Sequence, residues 1–288
     1  MTTATTTHTV GTGPETVTYD VRGDLAAATP DRPVLLMFAN PMDAASFGTL
    51  ASHFTDRPVV TYDPRGAGRN PTDTLELTPP EHAQDLHGVI EALDGGPVDV
   101  FASSGGAVNA LALAAAHPGH VRRVVAHEPP TVVLLPDRDA ALAAVEDIRA
   151  TYATAGSGQA LAKFIALVMH TGPVPDDWTE QPAPDPAMFG MSSNDDGART
   201  EPLIRNMPAC NVYQPDVAAL AALGDRLIIA VGQESGEELA ARGGRSVAEA
   251  VGLAVTEFPS HHAGFLGEES GQPGEPAAFA ARLRGVLG

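Results

Sequence analysis

Between Val98 and Gly106 the chain reads Val-Asp-Val-Phe-Ala-Ser-Ser-Gly-Gly, an apolar, β-prone run that stops at serine among tiny residues and gives way to a helical pattern. A turn from strand to helix within about one residue forces the central residue into a strained backbone region and leaves no room for bulky neighbours. Ala102, Gly105 and Gly106 meet that demand. A G-x-S-x-G frame puts Ser104 at the centre, with Ala102 at the first small position, Ser103 next and Gly106 at the last. The segment reads as a nucleophile elbow. A phosphate loop would need a later Lys followed by Ser or Thr, or a G-x-G-x-x-G run, and neither follows Val98.

The rest of the chain alternates. Glu15 to Val21 has the pattern of an edge strand, whereas Pro33 to Ala39 and Pro58 to Tyr62 are continuous apolar runs of the kind that fill a buried sheet. Between them Ala44 to Phe54 suits a short amphipathic helix. Pro79 to Leu93 suits a longer one, opened by a Thr cap with Glu81 in its first turn. A strand at Val98 to Phe101, a helix at Ala107 to Ala116 and a strand at Val121 to Ala126 continue the alternation, which predicts a mostly parallel sheet flanked by helices. Two helical stretches, Arg138 to Ala155 and Gln159 to His170, then lead into a Pro- and Asp-rich segment running to about Pro215, read as loop over the site. The sheet resumes at Arg226 to Val231, with a helix at Ser246 to Val251, a last strand at Leu253 to Phe258 and a closing helix at Glu275 to Leu287.

With 288 residues, 43% of them apolar, the chain has length for one α/β domain with an insertion. The expected division is a flexible threonine-rich tail at 1–14, a core made of 15–135 and 216–288, and a helical cap at 136–215 inserted after strand 6, the strand ending at His127. A net charge of −19 disfavours nucleic acid and anionic membrane surfaces. The single cysteine, Cys210, rules out an internal disulfide and suits a reducing compartment. The N-terminus lacks a basic start and an apolar run of signal-peptide length, and no stretch has the length of a membrane span. A cytoplasmic location is expected.

A serine hydroxyl needs an imidazole to take its proton and a carboxylate to hold that imidazole in the useful tautomer. The histidine is expected after the last strand, where Phe258-Pro259-Ser260-His261-His262-Ala263-Gly264-Phe265 offers two candidates; the H-x-G-F pattern favours His262 over His261. His53, His82, His87, His117, His120 and His170 fall on predicted helices or their ends and read mostly as surface residues. The carboxylate is less obvious. In the turn Gly232-Gln233-Glu234-Ser235 serine stands where a G-x-x-D pattern would place the acid. Glu128, in His127-Glu128-Pro129-Pro130 at the end of the sixth strand, leads, with Glu234 the alternative and Glu237 also near. For the oxyanion, one donor is the amide of Gly105, the residue after the nucleophile. The other should come from Phe38-Ala39-Asn40-Pro41-Met42-Asp43, where Pro41 has no N–H and Asn40 is the candidate. Asp63-Pro64-Arg65-Gly66-Ala67-Gly68-Arg69 resembles a phosphate loop but carries no lysine and reads as a structural turn.

With these residues in place the chain resembles the α/β-hydrolase superfamily over nearly its whole length. Pro41 falls on the proline of the family's His-Gly-Gly-Pro oxyanion segment, and Asp63-Pro64-Arg65-Gly66-Ala67-Gly68 matches its D-x-R-G-x-G turn. Phe38 and Ala39 depart from the usual His-Gly, and Ala102 from the elbow's first glycine. The run from Ser104-Gly105-Gly106-Ala107 through His117-Pro118 to His127-Glu128-Pro129-Pro130 is similar to the subgroup containing the fungal zearalenone lactonases, which take the triad acid from a Glu after strand six. That resemblance implies Ser104, Glu128 and His262 as a triad and hydrolysis of a lactone or ester.

The reading is a serine hydrolase without cofactor or catalytic metal, acting on a small, fairly hydrophobic ester or lactone. It predicts no nucleic-acid or membrane partner and allows a homodimer. Two rivals share the fold: a binding protein without turnover, and a tailoring enzyme performing C–C cleavage or acyl transfer.

Overall fold

The computed structural model describes residues 4–72, 76–94, 96–270 and 274–288. Eight strands run through it: β1 (Thr5–Val10), β2 (Val17–Arg22), β3 (Leu35–Asn40), β4 (Val59–Tyr62), β5 (Val98–Ser104), β6 (Val121–His127), β7 (Leu227–Gly232) and β8 (Thr256–Phe258). The helices are α1 (Gly48–Ser52), α2 (Pro79–Ala92), α3 (Gly105–Ala116), α4 (Arg138–Val168), α5 (Pro202–Val212), α6 (Val217–Ala221), α7 (Leu239–Val251) and α8 (Pro276–Leu287). The strands form one sheet in the order β1-β2-β4-β3-β5-β6-β7-β8. The pairs β1·β2 and β2·β4 are antiparallel and the other five are parallel.

Side chains alternate across each strand, so the sheet seals two separate cores. Leu36, Phe38, Val60, Val100 and Val124 turn to one face and meet Leu86, Val89 and Ile90 of α2, the alanine-rich α3, and Val247 and Val251 of α7. Leu35, Met37, Phe101 and Val125 turn to the other and meet Leu50 of α1 with Phe279, Leu283 and Leu287 of α8. At the amino end of β5 the fully buried Asp99 accepts bonds from Arg57 Nη2 at 2.6 Å and from Arg122 Nε at 2.9 Å. Arg122 Nη2 also donates to the carbonyl of Leu287, tying the last helix to the sheet. The turn at Asp63 is structural. Its carboxylate accepts from the amides of Ala44 and Arg69 and from the Arg69 guanidinium, and Gly68, at φ 53°, leaves no space for a Cβ beside it.

The threonine-rich start is not a tail, at least from residue 5 onward. Thr5 to Val10 pairs in register with Arg22 to Val17, Thr7 Oγ1 donates to Asp20 Oδ1 at 2.6 Å, and the His8 ring stacks on Tyr19. The strand buries almost nothing of itself, so hydrophobic alternation gave no sign of it; β-branched propensity and the free backbone edge of β2 are enough. Residues 1–3 lie outside the described residues. With β1 outside it, β2 is an interior strand rather than an edge.

Above the carboxyl ends of the strands a third apolar cluster joins α4 and α5 to Val132, Leu135 and Leu239. The two helical stretches expected at 138–170 form one run broken at Gly156, whose φ of 84° and ψ of −177° are non-helical. A Cβ there would stand 2.6 Å from Asp195 Oδ1, so the kink lets the segment near residue 195 pass close. The Pro-rich stretch holds a helix the sequence hid: α5 starts with Pro202 at its first position, where no N–H is missed, and carries Pro208 inside. Likewise α7 begins seven residues before the expected Ser246, running through the Gly243-Gly244 pair that reads as a break. A Cβ on Gly243 would lie 2.5 Å from the carbonyl oxygen of Pro129, so the glycines bring α7 against the loop after β6.

Candidate active site

Ser104 closes β5 with φ 56° and ψ −132°, a positive φ that a non-glycine residue holds only where its surroundings impose it. The imposition is steric. A Cβ on Gly106 would lie 2.6 Å from Ala39 Cα, and one on Gly105 would lie 2.9 Å from the carbonyl oxygen of Asn40. The first turn of α3 thus crosses the end of β3 with no room for side chains. Asn40 stands in register opposite Ser104 in the β3·β5 pair. The amide of Gly105 opens α3 and has no acceptor within the helix.

Glu128, just past β6, is fully buried and also at positive φ, 49°. Its Oε1 accepts from the amide of Gly232 at 2.8 Å, and its Oε2 lies 2.5 Å from His262 Nδ1. Burial by itself would raise the carboxyl. The His262 bond, the facing His127 and His262 rings and the neighbouring Ser235 hydroxyl outweigh it and hold the group at about 2. With an ionised carboxylate accepting from Nδ1–H, the free nitrogen of His262 is Nε2, the acceptor. The loop that carries His262 turns tightly: Ser260 is at φ 68°, Gly264 N donates to His261 O at 2.8 Å, and a Cβ on Gly264 would strike the carbonyl of Pro259.

Ser104 and His262 line one cavity of about 640 Å³ together with Asn40, Gly105 and His261. Among the described residues no hydrogen bond joins the Ser104 hydroxyl to the His262 ring; such contacts are often long without substrate and tighten when it binds. His261 has no carboxylate partner, its Nδ1 accepting instead from the amide of Ala263 at 3.1 Å. Of the carboxylates weighed for the imidazole, Glu128 alone reaches it. Glu234 and Glu237 are exposed, and neither side chain bonds to His262. The buried side chain of that turn is Ser235.

The family model described as alpha/beta hydrolase fold matches residues 32–232. The chain belongs to this family. A curated relative, "Uncharacterized hydrolase YraK" of Bacillus subtilis (strain 168), is 37% identical over 105 residues, which are 35% of this chain and 39% of that protein. Solved structures of similar fold include a thermophilic esterase from Thermogutta terrifontis, 17% identical, with 99% of this chain and 100% of that one covered at a TM-score of 0.63. The enol-lactonase from Burkholderia xenovorans LB400 is 18% identical, with 94% and 96% covered at a TM-score of 0.62. At such identities these two likenesses speak for the fold alone.

Within this α/β-hydrolase fold two buried histidines escaped the sequence reading. His82 is not a surface residue: it is fully buried in α2, and its Nε2 lies 3.3 Å from both Asn40 Nδ2 and Asn206 Oδ1. Asn206 belongs to α5 and donates from Nδ2 to the carbonyl of Pro202. The ring stands between the loop at Asn40 and α5, its Nε2 either accepting from Asn40 Nδ2 or donating to Asn206 Oδ1. Burial pushes His82 down to about 4, so it is neutral near pH 7. His127, also fully buried, bonds through Nδ1 to Ser103 Oγ at 2.9 Å and stacks on the His262 ring at 6.1 Å between centroids. It too is pushed by burial to about 4. Helical spacing could have hinted at His82, which shares a face with Leu86 and Val89.

The cavity wall is mostly apolar, with Met42, Val145, Phe164, Leu167, Met207 and Leu239 among its residues. Among the described residues its carboxylates are Glu201 and Glu238, and no Lys or Arg lines it. Cys210, on α5, faces Gly105 across the cavity, its thiol pushed up to about 12 by burial and so inert as a nucleophile. Among the described residues no helix is long and apolar enough to cross a membrane.

Proposed function

We propose that the protein is a serine hydrolase that cleaves a carboxylic ester or lactone of a neutral, fairly hydrophobic small molecule. The observation that carries this reading is the bond from the buried Glu128 to His262, which opens onto the same apolar cavity as Ser104 in its strained elbow. His262 Nε2 takes the Ser104 proton as Oγ attacks the carbonyl carbon. Glu128 keeps Nδ1 protonated and stabilises the imidazolium that forms. The developing oxyanion is met by the amide of Gly105 and by that of Asn40, each donor of this type being worth about 2.7 to 4 kcal/mol of transition-state stabilisation. The imidazolium then protonates the departing alkoxide, and a water activated by the same ring releases the acyl group from Ser104.

The triad acid comes from the end of β6, with Ser235 standing where a strand-7 acid would be. That arrangement is the one implied by the zearalenone-lactonase resemblance, and it supports assigning the chain to that subgroup. A substrate bearing a carboxylate would meet Glu201 and Glu238 with no cationic side chain opposite, so the acyl and alcohol parts are neutral. Treatment with a fluorophosphonate probe, followed by peptide mapping and a panel of aryl esters and macrocyclic lactones, tests the reading. Labelling is expected at Ser104 and is lost, with turnover, in Ser104→Ala. An active protein that resists the probe, or a Ser104→Ala variant with full activity, overturns it.

A further inference from the structure

Four chemically competent side chains collect at the amino end of β6, and none of them lines the cavity described above. His87 and Glu91 are one helical turn apart on α2, so they share a face. His117 caps α3, and His120 ends the turn that leads into β6, its amide bonded to His117 O at 3.0 Å. The rings of His87 and His117 stack at 3.8 Å between centroids, and His120 meets both edge-on. Glu91 Oε1 lies 3.1 Å from His120 Nδ1 and 3.9 Å from His87 Nε2. One donor atom from each of His87, Glu91 and His120 falls within 4.8 Å of the others.

We propose that His87, Glu91 and His120 form a binding site for a divalent transition-metal cation of the zinc type, which clips α2 to the turn between α3 and β6. Two imidazole nitrogens and one carboxylate oxygen are the donors a borderline cation such as zinc takes. Calcium and magnesium demand oxygen-only shells. Zinc with donors at about 2.1 Å spaces them about 3.4 Å apart in a tetrahedron, a value between the 3.1 and 3.9 Å already present. Glu91 is exposed, so its carboxylate can adjust to the two rings by a change of rotamer. The fourth position is left to water or to His117 after a ring rotation.

The test is calorimetric titration of the full-length, tag-free protein with zinc chloride, with cobalt(II) absorption as the spectroscopic readout of coordination. The wild type is compared with Glu91→Gln, with Glu91→Gln/His120→Ala, and with His261→Ala/His262→Ala, which removes the other adjacent histidines. One equivalent is expected in the wild type and in the His261/His262 variant. Affinity should fall by about 10-fold to 100-fold in the Glu91 variants. Zinc should raise the melting temperature only where the site is intact. Because Glu91 is exposed, its replacement leaves the fold in place, and ester turnover of the metal-free proteins is the check. Equal zinc affinity and cobalt spectra in the wild type and the double Glu91/His120 variant overturn the proposal. So does binding that vanishes only when His261 and His262 are replaced.

Discussion

Replacing Glu128 by Gln keeps the shape of the side chain and removes its charge, which puts the electrostatic account of the site at risk. The buried carboxyl is held at about 2 against an ordinary value of 4.5. At about 1.4 kcal/mol per pH unit, that difference contributes about 3 kcal/mol to the folded state. The sign follows from the depressed value: the stabilisation is complete above pH 4.5 and is lost as pH falls from there toward 2. Glu128→Gln should therefore be about 3 kcal/mol less stable than the wild type by urea denaturation at pH 7, with the gap narrowing toward pH 3. The Gln amide must also turn an N–H toward either His262 Nδ1 or the amide of Gly232, both of which bond to Glu128 in the wild type. A ring left in the wrong tautomer lowers kcat on an aryl ester by about 10³ to 10⁴. The parallel variant Glu234→Gln should match the wild type in both assays. A Glu128→Gln protein that keeps more than about a tenth of kcat, or whose stability deficit is the same at pH 7 and pH 3, would refute the reasoning.

Ser104→Gly relieves the positive φ of the elbow and should raise stability by about 1 kcal/mol in urea while abolishing turnover; a stability loss would show that the elbow stores no strain. Asn206→Ala removes the α5 partner of His82, the ring that also faces Asn40. It should lower kcat by about 10-fold to 100-fold with KM little changed. An effect confined to KM would reduce Asn206 to a wall of the cavity. Asp99→Asn leaves Arg57 and Arg122 without their shared counter-charge and should cost about 3 to 5 kcal/mol, read as a fall in melting temperature with kcat unchanged at 25 °C.

Much of the architecture could be read along the chain because the relevant signals are local. The Val98–Ser104 strand, its abrupt small-residue turn and the helix after it lie within about one α/β repeat, and steric need alone demands Ala102, Gly105 and Gly106 there. The Asp63 turn was legible for the same reason, since its acceptor, its glycines and Arg69 are seven consecutive residues. Signals that depend on a distant surface were not. Strand β1 has no apolar side and exists through its ladder with β2. The Gly243-Gly244 pair looks like a helix break until the Pro129 carbonyl is seen beside it. His82 resembles any histidine of an amphipathic helix until Asn40 and Asn206 close on its ring.

The sequence by itself determined the alternating α/β order, the position of the strained serine and the short list of histidines and carboxylates able to serve it. Those follow from backbone sterics and side-chain periodicity, which act over a few residues. That Glu128 and not Glu234 bonds to His262 follows from the tertiary structure, as do the enclosure of the cavity by α4 and α5, the placing of His82 between Asn40 and Asn206 and the gathering of His87, Glu91 and His120. Each depends on groups separated by tens to more than a hundred residues, and only the packing of helices onto the sheet brings them within bonding distance.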